Sequence, residues 1–131
     1  MSEATLERVL LVEDDRNVRR VAQLALEMVG KMKVCACESG AQALAAVNDF
    51  RPQLVLLDVM MPDMDGPAVL KRLREQPDTA SIPIVFLTAK VQNEELRQLR
   101  ALGALDIISK PFDAMTLAQS VNSIWDKRLP G

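Results

Sequence analysis

Five short apolar runs recur along the chain, each followed by an amphipathic stretch of helical period, and this alternation limits the fold more than any other feature of the sequence. The first run, Val9-Leu10-Leu11-Val12, stops at Glu13-Asp14-Asp15; Lys33 to Cys37 is the second. Leu54-Val55-Leu56-Leu57 ends at Asp58, Ile84-Val85-Phe86-Leu87 ends at Thr88, and a run over 105–109 ends at Lys110-Pro111. After the first run, Val18, Val21, Ala22, Ala25 and Val29 recur at helical spacing with Arg19, Arg20 and Gln23 on the other face, and Gly30 closes the helix. Further helices are predicted over 40–47 behind Ser39, near 68–73, and over 92–102 before Gly103; a last one has Asp113 as N-cap and Leu117, Ala118, Val121, Ile124 and Trp125 as its buried stripe. The third run is apolar on both faces, as a central parallel strand covered by helices on each side must be. Strand and helix in strict alternation predict an α/β fold, a doubly wound parallel sheet with right-handed crossovers. The sequence has no internal repeat or interdomain linker, so residues 1–131 read as one domain.

Composition removes several function classes. A net charge of -2 and 3% aromatic residues provide neither a basic field for a phosphate backbone nor rings for stacking bases, so no nucleic-acid contact is expected. The chain has no histidine, which excludes a Ser-His-Asp triad, a Cys-His protease, a histidine zinc site and a histidine phosphodonor. Cys35 and Cys37 share one side of a predicted strand and do not meet disulfide geometry without distortion. Two thiols, a polar start and no apolar run near the length of a membrane span point to the cytoplasm and to no membrane contact.

The polar residues of interest fall at the carboxyl ends of the predicted strands: Glu13 and Asp14 after the first, Asp58 after the third, Thr88 after the fourth and Lys110 after the fifth. In open α/β sheets the ligand crevice lies outside those ends, where the strand order reverses. Three carboxylates gathered there repel one another unless a cation offsets them. An all-oxygen donor set suits a hard divalent ion, Mg2+ first and Mn2+ as an alternative. Lys110 adds a fixed cation and Thr88 a hydroxyl, an arrangement suited to a transferring phosphoryl group.

Four blocks carry a resemblance: Val12-Glu13-Asp14-Asp15, the segment from Asp58 through Met60, Pro62 and Asp65 to Gly66, Leu87-Thr88-Ala89, and Ser109-Lys110-Pro111-Phe112. In order and in spacing they resemble the signature blocks of two-component response-regulator receiver domains. Asp14 to Asp58, Asp58 to Thr88 and Thr88 to Lys110 are 44, 30 and 22 positions apart. The likeness spans about residues 8–128 and implies a flavodoxin-like (βα)5 fold with strand order 2-1-3-4-5, of the single-domain, chemotaxis type. It implies Asp58 as phosphoacceptor, with Glu13, Asp14, Asp58 and the backbone carbonyl of Met60 at a Mg2+ ion, while Asp15 begins the following loop. It further implies Thr88 as the hydroxyl that moves toward the phosphoryl group, Ala89 as its small neighbour, Lys110 as the partner of a phosphoryl oxygen, and a cis peptide at Lys110-Pro111. The implied partners are a sensor histidine kinase or histidine phosphotransfer protein and a downstream protein that reads the face made by the fourth helix, fifth strand and fifth helix. The implied role is a signalling switch rather than an enzyme acting on a separate substrate.

Ile107 departs from the pattern: many receivers have Tyr or Phe there, a ring that swings inward on phosphorylation, and an isoleucine cannot make that exchange. Asp63, Asp65, Gly66 and Pro67 read as turn chemistry and a helix start, and Lys90 either as a modulator of dephosphorylation or as a solvated helix start. Two other classes compete. An aspartyl-phosphate phosphohydrolase or transferase usually needs an acidic residue two positions after the nucleophile, where this chain has Met60, and a cap. A flavodoxin-like cofactor module needs a phosphate-cradling glycine loop, which is missing. A receiver excised from a longer regulator or hybrid kinase is the remaining architectural alternative.

Overall fold

The computed structural model describes residues 5–89 and 92–128. Five parallel strands, β1 (Arg8–Val12), β2 (Lys33–Cys37), β3 (Leu54–Asp58), β4 (Ile84–Thr88) and β5 (Asp106–Ser109), form one sheet in the order β2-β1-β3-β4-β5. Helices α1 (Arg16–Leu24), α2 (Gly40–Phe50), α3 (Gly66–Arg74) and α4 (Asn93–Ala101) fill the four crossovers, and α5 (Ala114–Lys127) follows β5. The flavodoxin-like doubly wound fold is therefore as expected. Alternate residues of each strand serve opposite faces: Val9 and Leu11 pack with Ala22 and Leu26 and with Leu117, Val121 and Trp125 of α5, whereas Leu10 and Val12 pack with residues of α2 and α3 and with Leu99 of α4. Every residue of β3 and of β4 is buried, because both strands carry helices on both faces.

Short polar residues set the helix starts. Asp15, Ser39, Asp65 and Asp113 each accept a hydrogen bond from a backbone N–H in the first turn of α1, α2, α3 and α5 respectively. Asp15 is thus the cap of α1. Among the described residues no side chain caps α4, whose preceding residue is Gln92, and Leu99 is its one buried residue. The helix after Ser39 runs on to Phe50, beyond the expected end at Val47, until Arg51 turns left-handed at φ 55°.

The first helix differs from its expected packing. Its last turn, Ala25–Val29, widens into a π turn in which the Gly30 N–H donates to the Ala25 carbonyl at 3.2 Å. Ala22, Ala25 and Leu26 are buried there, while Val21 (45% exposed) and Val29 (49%), both expected in the stripe, face outward. The cause is close approach to α5: a Cβ built on Gly30 would stand 2.9 Å from Cβ of Ala118, so small residues must occupy the seam. Among the described residues, no helix is long and apolar enough to cross a membrane, and Cys35 and Cys37 are free thiols. Lys90 and the tail at 129–131 lie outside the described residues.

Candidate functional site

With the order β2-β1-β3-β4-β5, the chain leaves β1 toward one side of the sheet and β3 toward the other, so a crevice opens at their carboxyl ends. Glu13 follows β1 directly and its N–H donates to the Cys37 carbonyl at 3.0 Å, which fixes it against the end of β2. Its side chain is fully buried, Asp58 at the tip of β3 is 2% exposed, and Asp14 is exposed at the rim. One carboxylate oxygen from each of Glu13, Asp14 and Asp58 lies within 4.8 Å of the others. The Lys110 Nζ stands 3.0 Å from Glu13 Oε1 and 3.0 Å from Asp58 Oδ1. The expected convergence of Glu13, Asp14, Asp58 and Lys110 is a feature of the structure.

The other oxygen of the central carboxylate is informative. Asp58 Oδ2 is buried and meets no hydrogen-bond donor among the described residues. A buried acceptor left in that state is costly, and it is where a hard cation fits: three carboxylates offer oxygen only, with neither sulfur nor imidazole beside them. Burial first, then the neighbouring Asp14 carboxyl and, less strongly, Glu13, push the Asp58 carboxyl up to about 7, with Lys110 acting in the opposite sense. For Lys110, burial works to lower the ammonium, but its bonds to Asp58 and Glu13 and their charges outweigh it, so the group is held above its ordinary value. It stays a cation.

Thr88 is buried at the tip of β4, and its carbonyl accepts from the Lys110 N–H at 2.8 Å, which joins the ends of β4 and β5. The Lys110–Pro111 peptide is cis. Ala89 is exposed just beyond Thr88. Met60, 65% exposed in the loop after β3, lines a groove of about 410 Å³ with Val59, Pro67, Thr88, Glu95 and Leu99. Ile107 is half-buried in β5, in register with Phe86, and packs against the α2–α3 side of the core.

Two residues matter here in ways that their sequence patterns did not disclose. Gly66 was expected only as a turn and helix start, yet a Cβ on it would meet the Asp58 carbonyl oxygen at 2.5 Å and Cα of Val59 at 3.0 Å, both backbone atoms. Gly66→Ala is therefore expected to cost about 2–3 kcal/mol by pushing the tip of β3 away; calorimetric unfolding with and without Mg2+ checks this, and an unchanged Tm would mean that the loop yields freely. Arg19, expected on the outer face of α1, is half-buried and reaches back to the carbonyls of Glu13 and Asp14.

Residues 9–122 match the response regulator receiver domain family. The chain belongs to that family. Among curated relatives of this receiver domain, the phosphate regulon transcriptional regulatory protein PhoB of Pseudomonas aeruginosa is 35% identical over 123 residues, covering 94% of this chain and 53% of PhoB. The regulatory protein AtoC of Escherichia coli is 36% identical over 108 residues, covering 82% of this chain and 23% of AtoC. The receiver thus spans about half or less of the curated relatives it matches. Among solved structures, the chemotaxis response regulator CheY4 of Vibrio cholerae superposes with a TM-score of 0.83 at 30% identity, covering 92% of this chain and 99% of CheY4. The receiver domain of Francisella response regulator 1452 gives 0.82 at 27% identity, covering 94% and 99%.

Proposed function

We propose that this receiver is a phosphorylatable switch in which Asp58 takes a phosphoryl group from a phosphohistidine on a sensor histidine kinase or histidine phosphotransfer protein. The observation that carries the reading is Asp58 Oδ2, a buried carboxylate oxygen with no donor, beside two further carboxylates and the Lys110 ammonium. A carboxylate oxygen of Asp58 attacks phosphorus as the P–N bond to imidazole breaks, and the product is an acyl phosphate on Asp58. Lys110, held cationic, offsets charge on a phosphoryl oxygen and keeps the acceptor carboxylate oriented. Glu13, Asp14, Asp58 and the Met60 carbonyl would hold Mg2+ or Mn2+. When bound, that ion supplies charge neutralisation for the three phosphoryl oxygens and balances the three carboxylates.

Thr88 then donates to the new phosphoryl group and shifts a pre-existing equilibrium of the segment that follows β4. Ala89 leaves that approach open. With Ile107 in place of a ring, the change passes through the segment between β4 and α4, and the α4–β5–α5 face contacts a downstream protein. Residues 1–131, with a core over about 8–128, act as one receiver unit in the cytoplasm. Its catalysis is limited to its own phosphorylation and slow dephosphorylation.

The test is incubation with acetyl phosphate and Mg2+ followed by intact-mass measurement. One added phosphate, released by hydroxylamine and absent when EDTA replaces Mg2+, is expected. Many turnovers of a small phosphoester without a stable adduct would instead support a phosphohydrolase, and labelling that persists in EDTA would remove the metal assignment.

A further inference from the structure

Arg19 occupies a place that helix electrostatics disfavours. It lies in the opening turns of α1, where the N-terminal end of the dipole is positive and a cation is unfavourable. Side chains on a helix lean back toward its N-terminus, and Arg19 follows that direction out of the helix altogether. One guanidinium nitrogen donates to the Glu13 carbonyl at 2.9 Å and approaches the Asp14 carbonyl at 3.4 Å. These are the main-chain oxygens of the two acidic residues that follow β1, whose carboxylates converge with Asp58. The same turn is tied elsewhere: the Asp15 N–H donates to Glu13 Oε2 at 3.0 Å, and the Asp15 side chain caps α1 through Asn17 and Val18. Arg16 and Arg20, by contrast, are exposed.

We infer that Arg19 is a positioning residue for the metal site: by clamping the Glu13 and Asp14 peptide groups it holds two carboxylates, one buried and one at the rim, converged before any cation arrives. This rests on the proposed Mg2+ site. Arg19 does not touch the ion or the phosphoryl group; it acts through the backbone, which removes conformational freedom that the site would otherwise lose on binding. Without the clamp, Asp14, exposed on a turn, swings away at the moment it is needed.

Charge and position predict opposite signs, which makes the inference testable. A guanidinium near a cation site repels the cation, so its removal would tighten Mg2+ binding if charge were its whole effect. If it positions the turn, its removal weakens binding. Mg2+ is titrated calorimetrically at pH 8 into wild type, Arg19→Met and Arg19→Lys, with thermal unfolding in EDTA as the measure of fold. The expected result is Arg19→Met binding about fivefold to tenfold more weakly, a part of the worth of a hydrogen bond from a charged donor, because the clamp reaches the ion only through the backbone. Arg19→Lys, which keeps the charge and a single donor, falls between the other two. Equal or tighter binding by Arg19→Met, or an affinity loss in Arg19→Lys as large as that in Arg19→Met, overturns the inference and leaves the metal site standing. Wild type that binds no Mg2+ overturns the metal reading and the inference with it.

Discussion

Asp58→Asn is expected to abolish incorporation of phosphate from acetyl phosphate entirely while making the metal-free protein more stable at neutral pH. The first effect follows from removal of the oxygen proposed as the nucleophile. The second follows from linkage. The Asp58 carboxyl titrates at about 7 in the folded chain against 3.8 in a free side chain. Between those values the folded protein retains a proton that the unfolded chain has released, so on this group's account stability falls as pH rises through the window, and the penalty is complete above about 7. An amide has no charge to desolvate and no repulsion with Glu13 and Asp14. Part of the gain is lost with the Lys110 contact to Asp58 Oδ1, which leaves a net stabilisation of about 2 kcal/mol, or roughly 8 °C in Tm. Thermal unfolding at pH 5 and pH 8 in EDTA should show the variant's advantage at pH 8 only. An equal advantage at both pH values would mean that the carboxylate cluster is not the source.

Lys110→Met is the second large effect, and it has the opposite sign in stability. The ammonium is the one salt-bridge partner of two buried carboxylates, Glu13 and Asp58, among the described residues. Breaking such a pair from one side costs about 3 kcal/mol, so Tm in EDTA should fall by about 10 °C. A divalent ion substitutes for the lost charge, and Mg2+ should therefore raise the Tm of Lys110→Met far more than that of wild type. Phosphoryl transfer should slow by about 10²–10³-fold even at saturating Mg2+, the usual loss when one preorganised charge is removed from a developing oxyanion. Single-turnover labelling measures that rate; unchanged labelling would mean that Lys110 only balances charge in the resting protein.

Much of this was legible in the residues because local patterns and global fold agree. β3 is apolar on both faces and could only be central, and Asp58 at its end stands out as a carboxylate with no surface to occupy. Asp113, Ser39 and Asp65 announced helix starts through ordinary capping chemistry. The failures were tertiary. Val21 and Val29 fit a helical stripe as well as Leu26 does, and only the approach of Gly30 to Ala118 decides which residues turn inward. Gly66 hid a steric contact between segments, and Arg19 hid a side chain that runs back along the chain, where a polar letter on a helix reads as solvent-facing. Ile107 is half-buried in β5 where an aromatic ring was the family's expectation, and it packs on the core as an ordinary aliphatic residue.

The full burial of β3 has a mechanical consequence. Asp58 ends a fully buried central strand hydrogen-bonded on both sides, so a phosphoryl group added there, as proposed, would meet a residue with little room to move. α4, with Leu99 as its one buried residue and no side-chain cap among the described residues, has little packing to lose by moving. On the proposed switch the chain would work like an anvil and a reed: the chemical blow would land on an element with little room to give, and the displacement would be collected by a neighbouring helix.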